Sequence, residues 1–154
     1  MIATTRGKRT DIKPCIAIVR SLPHHFTQEA LRSILNDLIA FPFFIAKDDS
    51  GRILGFASVN RINKNTVELR WLAILKDHQR QGIGSKIVDA VCTHYKSKGF
   101  QLISVKTLSE KANYNPYKGS RRFLEKSGFI QLETIDPFPN WDPGNPCAFY
   151  VRIL

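Results

Sequence analysis

Val67-Glu68-Leu69-Arg70-Trp71-Leu72-Ala73-Ile74-Leu75, followed by Lys76-Asp77-His78-Gln79-Arg80-Gln81-Gly82-Ile83-Gly84-Ser85-Lys86, is the stretch on which the fold turns. Its first part alternates. Val67, Leu69, Trp71, Ala73 and Leu75 fall on one face at period two, with Glu68, Arg70, Leu72 and Ile74 on the other. From Ile83 the period changes. Ile83, Ile87, Val88, Val91, Cys92 and Tyr95 recur at helical spacing, and Gly99 follows as a stop signal. The stretch is therefore a strand, a tight glycine turn and the opening of a helix. Such a turn is an anion site by construction. The first helical N–H groups have no partner inside the helix, and the helix dipole is positive there. Gly82 and Gly84 carry no Cβ and let the backbone approach an anion closely, while Arg80 and Lys86 add positive charge. Two better-known phosphate motifs fail. A dinucleotide fingerprint needs glycine where Ile87 stands, and a P-loop needs Gly-Lys-Ser/Thr where the order is Gly84-Ser85-Lys86.

Gln79-x-x-Gly82-x-Gly84 between a strand and an amphipathic helix resembles the Gln/Arg-x-x-Gly-x-Gly/Ala signature of the GNAT superfamily of N-acetyltransferases. Glu68-Leu69-Arg70-Trp71-Leu72-Ala73-Ile74 is similar to the family's fourth strand, where several members carry a glutamate at the Glu68 position. Arg122-Phe123-Leu124-Glu125-Lys126-Ser127-Gly128-Phe129 is similar to the family's late helix and the strand after it. The resemblance runs from roughly residue 15 to residue 154. It implies an α/β (α+β) fold, a mixed central sheet of six to seven strands flanked by about four helices, with two parallel strands splayed to admit the acyl-pantetheine arm.

Composition bounds the alternatives. A chain of 154 residues, 43% hydrophobic and 23% charged, is expected to form one domain around one core. We expect residues 1–13 to be a flexible basic tail and residues 14–154 to be the acetyltransferase domain. No apolar run reaches the roughly 20 residues that span a bilayer. Cys15, Cys92 and Cys147 are odd in number and widely spaced, which argues against a disulfide framework and for a reducing, cytoplasmic setting. A formal net charge of +10 suits a polyanionic ligand such as coenzyme A. The positive residues are dispersed and no nucleic-acid motif is present, so nucleic acid is not the expected partner. Homodimerisation stays open.

Along the chain, the apolar run Cys15-Ile16-Ala17-Ile18-Val19 reads as the first strand. Thr27 is a good N-cap for a helix whose apolar face is Leu31, Ile34, Leu35, Leu38 and Ile39. Residues 43–46 and 53–59 read as strands joined by the Asp48-Asp49-Ser50-Gly51 turn. Residues 100–107 read as a strand parallel to the central one, since a helix connects them. Asn115 as N-cap and Pro116 at the first helical position open the last helix, which Gly128 stops. Residues 129–135 and 147–154 read as the last two strands, joined by a proline-rich loop.

The chemistry implied is attack of an amine on the thioester carbon of acetyl-CoA, with no metal. The resemblance assigns cofactor contacts to Leu72, Ala73 and Ile74 on the strand, to Gln79, Arg80, Gln81, Gly82, Ile83, Gly84 and Ser85 in the turn, and to Asn115. A main-chain N–H near Ala73 and Ile74 is the expected oxyanion donor. Glu68 is the candidate general base; its alternative is a surface carboxylate paired with Arg70 or a neighbouring strand. Many relatives place a tyrosine where Leu124 stands, and leucine cannot donate a proton. Tyr117, two helical turns earlier on the same face, is the candidate general acid, against simple packing. A thiol with a pKa of roughly 8.5 also leaves fairly well unaided. Trp141, in the late loop, is the candidate substrate contact. The acceptor is left open between small-molecule amines, peptide N-termini and lysine side chains. Two other classes compete: a catalytically silent CoA-binding module, motivated by Leu124, and a basic nucleic-acid or ribosome-associated adaptor on the same fold.

Overall fold

A computed structural model describes residues 1–154. Seven strands form one sheet in the order β1-β2-β3-β4-β5-β7-β6. They are β1 (Ala3–Arg6), β2 (Phe43–Lys47), β3 (Ile53–Arg61), β4 (Thr66–Ile74), β5 (Leu102–Leu108), β6 (Ile130–Ile135) and β7 (Cys147–Ile153). Four α-helices flank it: α1 (Ile12–Arg20), α2 (Gln28–Ala40), α3 (Ile83–Ser97) and α4 (Lys118–Lys126). The expected mixed sheet and helix count are therefore present.

Two expectations about the N-terminal region are overturned. The strand there is not Cys15–Val19 but Ala3–Arg6, which pairs antiparallel with β2 from Ala3 opposite Lys47 to Arg6 opposite Phe44. Residues 3–13 are thus built into the fold rather than forming a flexible tail. The run Cys15–Val19 lies inside α1. The reason is its spacing: Cys15, Ile16, Ile18 and Val19 are the buried positions, a helical stripe. Pro14 fits because the first-turn N–H groups of a helix lack partners anyway. In α2 the Thr27 cap is present, its Oγ1 accepting from the Ala30 N–H at 3.1 Å. The buried face is narrower than the sequence suggested, however. Ile34 and Leu38 are buried, but Leu35 and Ile39 are 39% and 65% exposed. The last helix also starts later. Asn115–Tyr117 is a separate 3-10 turn with Tyr114 as its N-cap, and α4 begins at Lys118.

The core lies in two layers, one on each side of the sheet. Ile83, Ile87, Val88 and Val91 of α3 pack with Leu124 of α4 on Val67 and Leu69 of β4. On the other side α1 and α2 cover Ile45, Phe56 and Ala73. Val67 and Ala73 were expected on one face, yet they serve opposite layers. A β-bulge explains it. Ser58 pairs with Trp71 and Val59 with Leu69, so Arg70 is an extra residue and the facing of β4 inverts beyond it.

The edge strand gives a direct test of the corrected N-terminus. The Gly7 N–H donates to the Phe43 carbonyl at 2.8 Å, and a Cβ on Gly7 would lie 1.9 Å from the Phe43 ring, itself 5% exposed. Gly7→Ala is expected to cost about 1–3 kcal/mol of unfolding free energy in a urea titration, the range for overpacking. An unchanged midpoint would return residues 1–13 to the status of a tail.

Candidate active site

The site begins where two parallel strands separate. β4 and β5 pair only at Thr66–Leu102, Val67–Ile103 and Glu68–Ser104, although β4 continues to Ile74 and β5 to Leu108. Beyond Glu68, then, β4 has β3 on one side and no strand on the other. The Leu75 N–H bonds to the Leu54 carbonyl of β3 at 2.9 Å, so by alternation Ala73 also turns its peptide groups to β3. Leu72 and Ile74 turn theirs into the gap. Of the three expected backbone contacts, Leu72 and Ile74 are in position, whereas Ala73 is used by the sheet. The Ile74 carbonyl is held by Gln79, whose Nε2 donates to it at 3.1 Å. Gln79 therefore ties the turn to the strand.

The turn itself presents donors. Arg80 and Gly82 adopt left-handed conformations, φ 59° and 79°. Gly82 is the N-cap of α3. The backbone N–H groups of Arg80, Gln81, Gly82, Ile83, Gly84 and Ser85 make no hydrogen bond within the protein; the first to do so is that of Lys86, which donates to the Gly82 carbonyl. A succession of free N–H groups entering a helix is a cradle for phosphate oxygens. A Cβ on Gly82 would meet nothing within 4 Å, so the space in front of the turn is open. Gly84 has a different reason to be glycine. A Cβ there would stand 3.2 Å from the Phe123 ring, so its absence lets α3 and α4 pack. These residues fit an acyl-CoA pyrophosphate. Asn115 lies exposed at the start of the 3-10 turn before α4.

At the apex of the gap sits Glu68, 3% exposed. It faces away from the Val67–Leu69 layer, towards the side of α1 and α2. Arg70 Nη1 donates to its Oε1 at 3.2 Å, and Lys106 Nζ of β5 lies 2.6 Å from Oε2. The lysine contact is a close ion pair on an oxygen that is itself shut off from solvent. Arg70 also donates through Nε to Asp37 of α2 at 2.8 Å, and Trp71 Nε1 donates to the same Asp37 oxygen at 2.6 Å. The bulge that turns Arg70 out thus puts one guanidinium between two carboxylates. This favours its charged form and raises its pKa, against the opposing effect of burial.

The two tyrosines near the gap are already engaged. Tyr117 donates its hydroxyl hydrogen to the His25 carbonyl, and Tyr114 donates to that of His24 at 2.8 Å. His25 Nε2 donates in turn to the Pro116 carbonyl at 2.9 Å. The loop between α1 and α2 is thereby latched to the turn before α4. Burial raises the Tyr117 pKa, with a smaller push from Tyr114, so the phenol stays neutral. Leu124 is 4% exposed and packs in the α3 layer, leaving no donor where the family's tyrosine would stand. Trp141 stacks edge-on against Phe138, ring centres 5.2 Å apart, and Phe138 in turn lies 5.4 Å from Lys106 Nζ. The late loop therefore reaches the Glu68 cluster through Phe138, with Trp141 behind it. No group of His, Cys, Asp and Glu residues is arranged to hold a metal.

The match to known proteins agrees with this geometry. Residues 16–129 fit the model of the acetyltransferase (GNAT) family. The chain belongs to that family. A GNAT-family protein from Desulfovibrio desulfuricans shares its fold at TM-score 0.87 and 21% identity, over 99% of both chains. A GNAT-family acetyltransferase from Staphylococcus aureus superposes at 0.77, with 19% identity over 100% of this chain and 99% of the other. The ribosomal-protein-S18-alanine N-acetyltransferase of Escherichia coli does so at 0.75, with 15% identity over 99% and 94%. At these identities the GNAT structures agree in fold alone. Membership supports acetyl transfer as the general activity.

Asp37 and Lys106 were not legible as site residues, because only the strand register and the packing of α2 bring them to Glu68. Lys106 stands two positions past Ser104, a period-two neighbour of the residue that pairs with Glu68; that spacing was the available signal. Cys147 lies near the same charges. Burial is the main cause that pushes its thiol up to about 11, and Cys15 is pushed to about 12. At pH 8 only about one Cys147 in a thousand is thiolate. All three cysteines are buried. We expect iodoacetamide at pH 8 to leave the native protein unlabelled and to label three thiols after unfolding. Rapid labelling of native Cys147 would contradict its burial.

Proposed function

We propose that the protein transfers the acetyl group of acetyl-CoA to a primary amine by direct attack within a ternary complex. The observation that carries this is the unbroken run of free backbone N–H groups from Arg80 to Ser85, placed beside the unpaired edge of β4. The turn holds the pyrophosphate, and the Leu72 and Ile74 peptide groups hold the pantetheine arm. Bound acetyl-CoA supplies an acyl carbon already activated as a thioester. A backbone N–H at the gap, from Leu72 or Ile74, stabilises charge developing on the thioester oxygen. Glu68, at the apex of the gap, receives the proton of the incoming ammonium, directly or through water.

Tyr117 acts in this scheme by holding the α1–α2 loop, because its hydroxyl hydrogen is committed to His25. The thiolate leaves without an acid. Phe138 lines the acceptor side, and Trp141 supports it. The acceptor amine, whether on a small molecule, a peptide N-terminus or a lysine, is selected by that loop and by the latch. The alternative favoured by Leu124 is a CoA-binding module without turnover.

Calorimetric titration with acetyl-CoA tests the first half. Binding in the micromolar range is expected for the native chain and is lost in Gly82→Asp, which puts bulk and negative charge in the cradle. Thiol release against a panel of amines tests the second. Glu68→Gln is expected to lower kcat by about a hundredfold, the scale of a general base, and Tyr117→Phe by much less. Binding without thiol release on any amine would favour the silent module. Full activity of Glu68→Gln across pH would remove Glu68 as base.

A further inference from the structure

Lys106 projects from β5 beside Glu68, at the apex of the gap. β5 stops pairing with β4 at Ser104, and Lys106 is the next residue on the same face. Its neighbours Ile103 and Val105 face the α3 layer, so its own side chain emerges on the side of Glu68. Nζ lies 2.6 Å from Glu68 Oε2, 5.4 Å from the centre of the Phe138 ring and 5.8 Å from that of Phe149. The two rings steady the stem by cation–π attraction and aim the nitrogen at the carboxylate. The side chain is 30% exposed, so it is held without being sealed off.

We propose that Lys106 is an internal acceptor: in the absence of an external amine, the enzyme acetylates Lys106 Nζ at its own active site. This rests on the reading of acetyl-CoA as the ligand of the gap. The step balances. The Lys106 ammonium passes one proton to Glu68, and its lone pair forms the N–C bond to the thioester carbon. The C–S bond breaks, the sulfur leaves with the bonding pair and takes the second proton that the nitrogen sheds, and Glu68 returns its proton to solvent. The products are Nζ-acetyl-lysine and coenzyme A, and no oxidant or further reactant is needed.

The surroundings tolerate the product. Acetylation removes the lysine charge, but Glu68 keeps its bond from Arg70 and is not left as an unpaired buried carboxylate. The same geometry predicts competition. An external amine and the Lys106 amine need the same proton acceptor, so a good acceptor slows modification of Lys106.

Mass spectrometry of the purified chain incubated with acetyl-CoA tests this. The expected result is the gain of one acetyl group, mapped to Lys106 and abolished by Lys106→Arg. Glu68→Gln and Gly82→Asp should each slow it by about a hundredfold, while the exposed lysines Lys64 and Lys96 acquire label at one slow rate in all forms. Equal labelling of Lys106 in Gly82→Asp would mean acylation from solution and would overturn the inference. So would an unlabelled Lys106 in a chain that binds acetyl-CoA and acetylates another amine; Lys106 is then only the ion-pair partner of Glu68, and the proposed function stands. Absence of acetyl-CoA binding by calorimetry would remove the proposed function and this inference together.

Discussion

β4 and β5 are held together by only three residue pairs, ending at Glu68 and Ser104, and the candidate site is built on their separation beyond that point. A strand in mid-sheet normally spends its peptide groups on two neighbours. β4 spends half of its C-terminal ones on β3 and leaves the other half free. Unpaired peptide groups inside a protein are costly unless something bonds to them. Gln79 takes the Ile74 carbonyl; an extended amide-bearing ligand is the natural partner for the rest. The same strand runs directly into the turn whose N–H groups are free from Arg80 to Ser85. One strand–turn–helix unit therefore offers an extended edge for an amide chain and a cradle for phosphates.

The apex of the gap concentrates charge. Glu68 and Asp37 face Arg70 and Lys106, two largely buried carboxylates against two partly exposed cations. Glu68 is the buried member, and two cations share its pairing, so loss of one still leaves the carboxylate a partner, whereas loss of both would leave it buried and unpaired, which is costly. The bulge at Arg70 is the device that assembles this cluster. The extra residue lets one guanidinium span Glu68 and Asp37, and it inverts β4 so that Trp71 joins the α2 side while Leu72 and Ile74 turn to the helix layer.

Much of this was written locally and could be read. The glycine turn and the helical period of α3 are short-range signals, and the structure keeps both, whereas the alternation of β4 holds only on either side of the bulge at Arg70. Glu68 stood out through the resemblance of its strand to the family's fourth strand; its burial was not legible. The failures were of two kinds. Cys15–Val19 is an apolar run too short for periodicity to separate strand from helix, and its helical stripe became evident only with the burial of four of its five residues. The others needed pairing information. Ala3–Arg6 is a polar edge strand, specified by its partner β2 rather than by its own pattern. The bulge, and the approach of Lys106 and Asp37 to Glu68, are consequences of register and helix packing that no local window contains.

The central claim is that the free N–H groups of the turn and the gap-facing edge of β4 bind one ligand together. Backbone amide NMR of the isotopically labelled chain, titrated with coenzyme A, tests it most directly. The account requires the largest shifts at Arg80, Gln81, Gly82, Ile83, Gly84 and Ser85, with Leu72 and Ile74 moving in the same titration at the same midpoint. Shifts confined to the surface of α4 around Arg122 and Lys126, or turn amides that stay put while the ligand binds elsewhere, would contradict it.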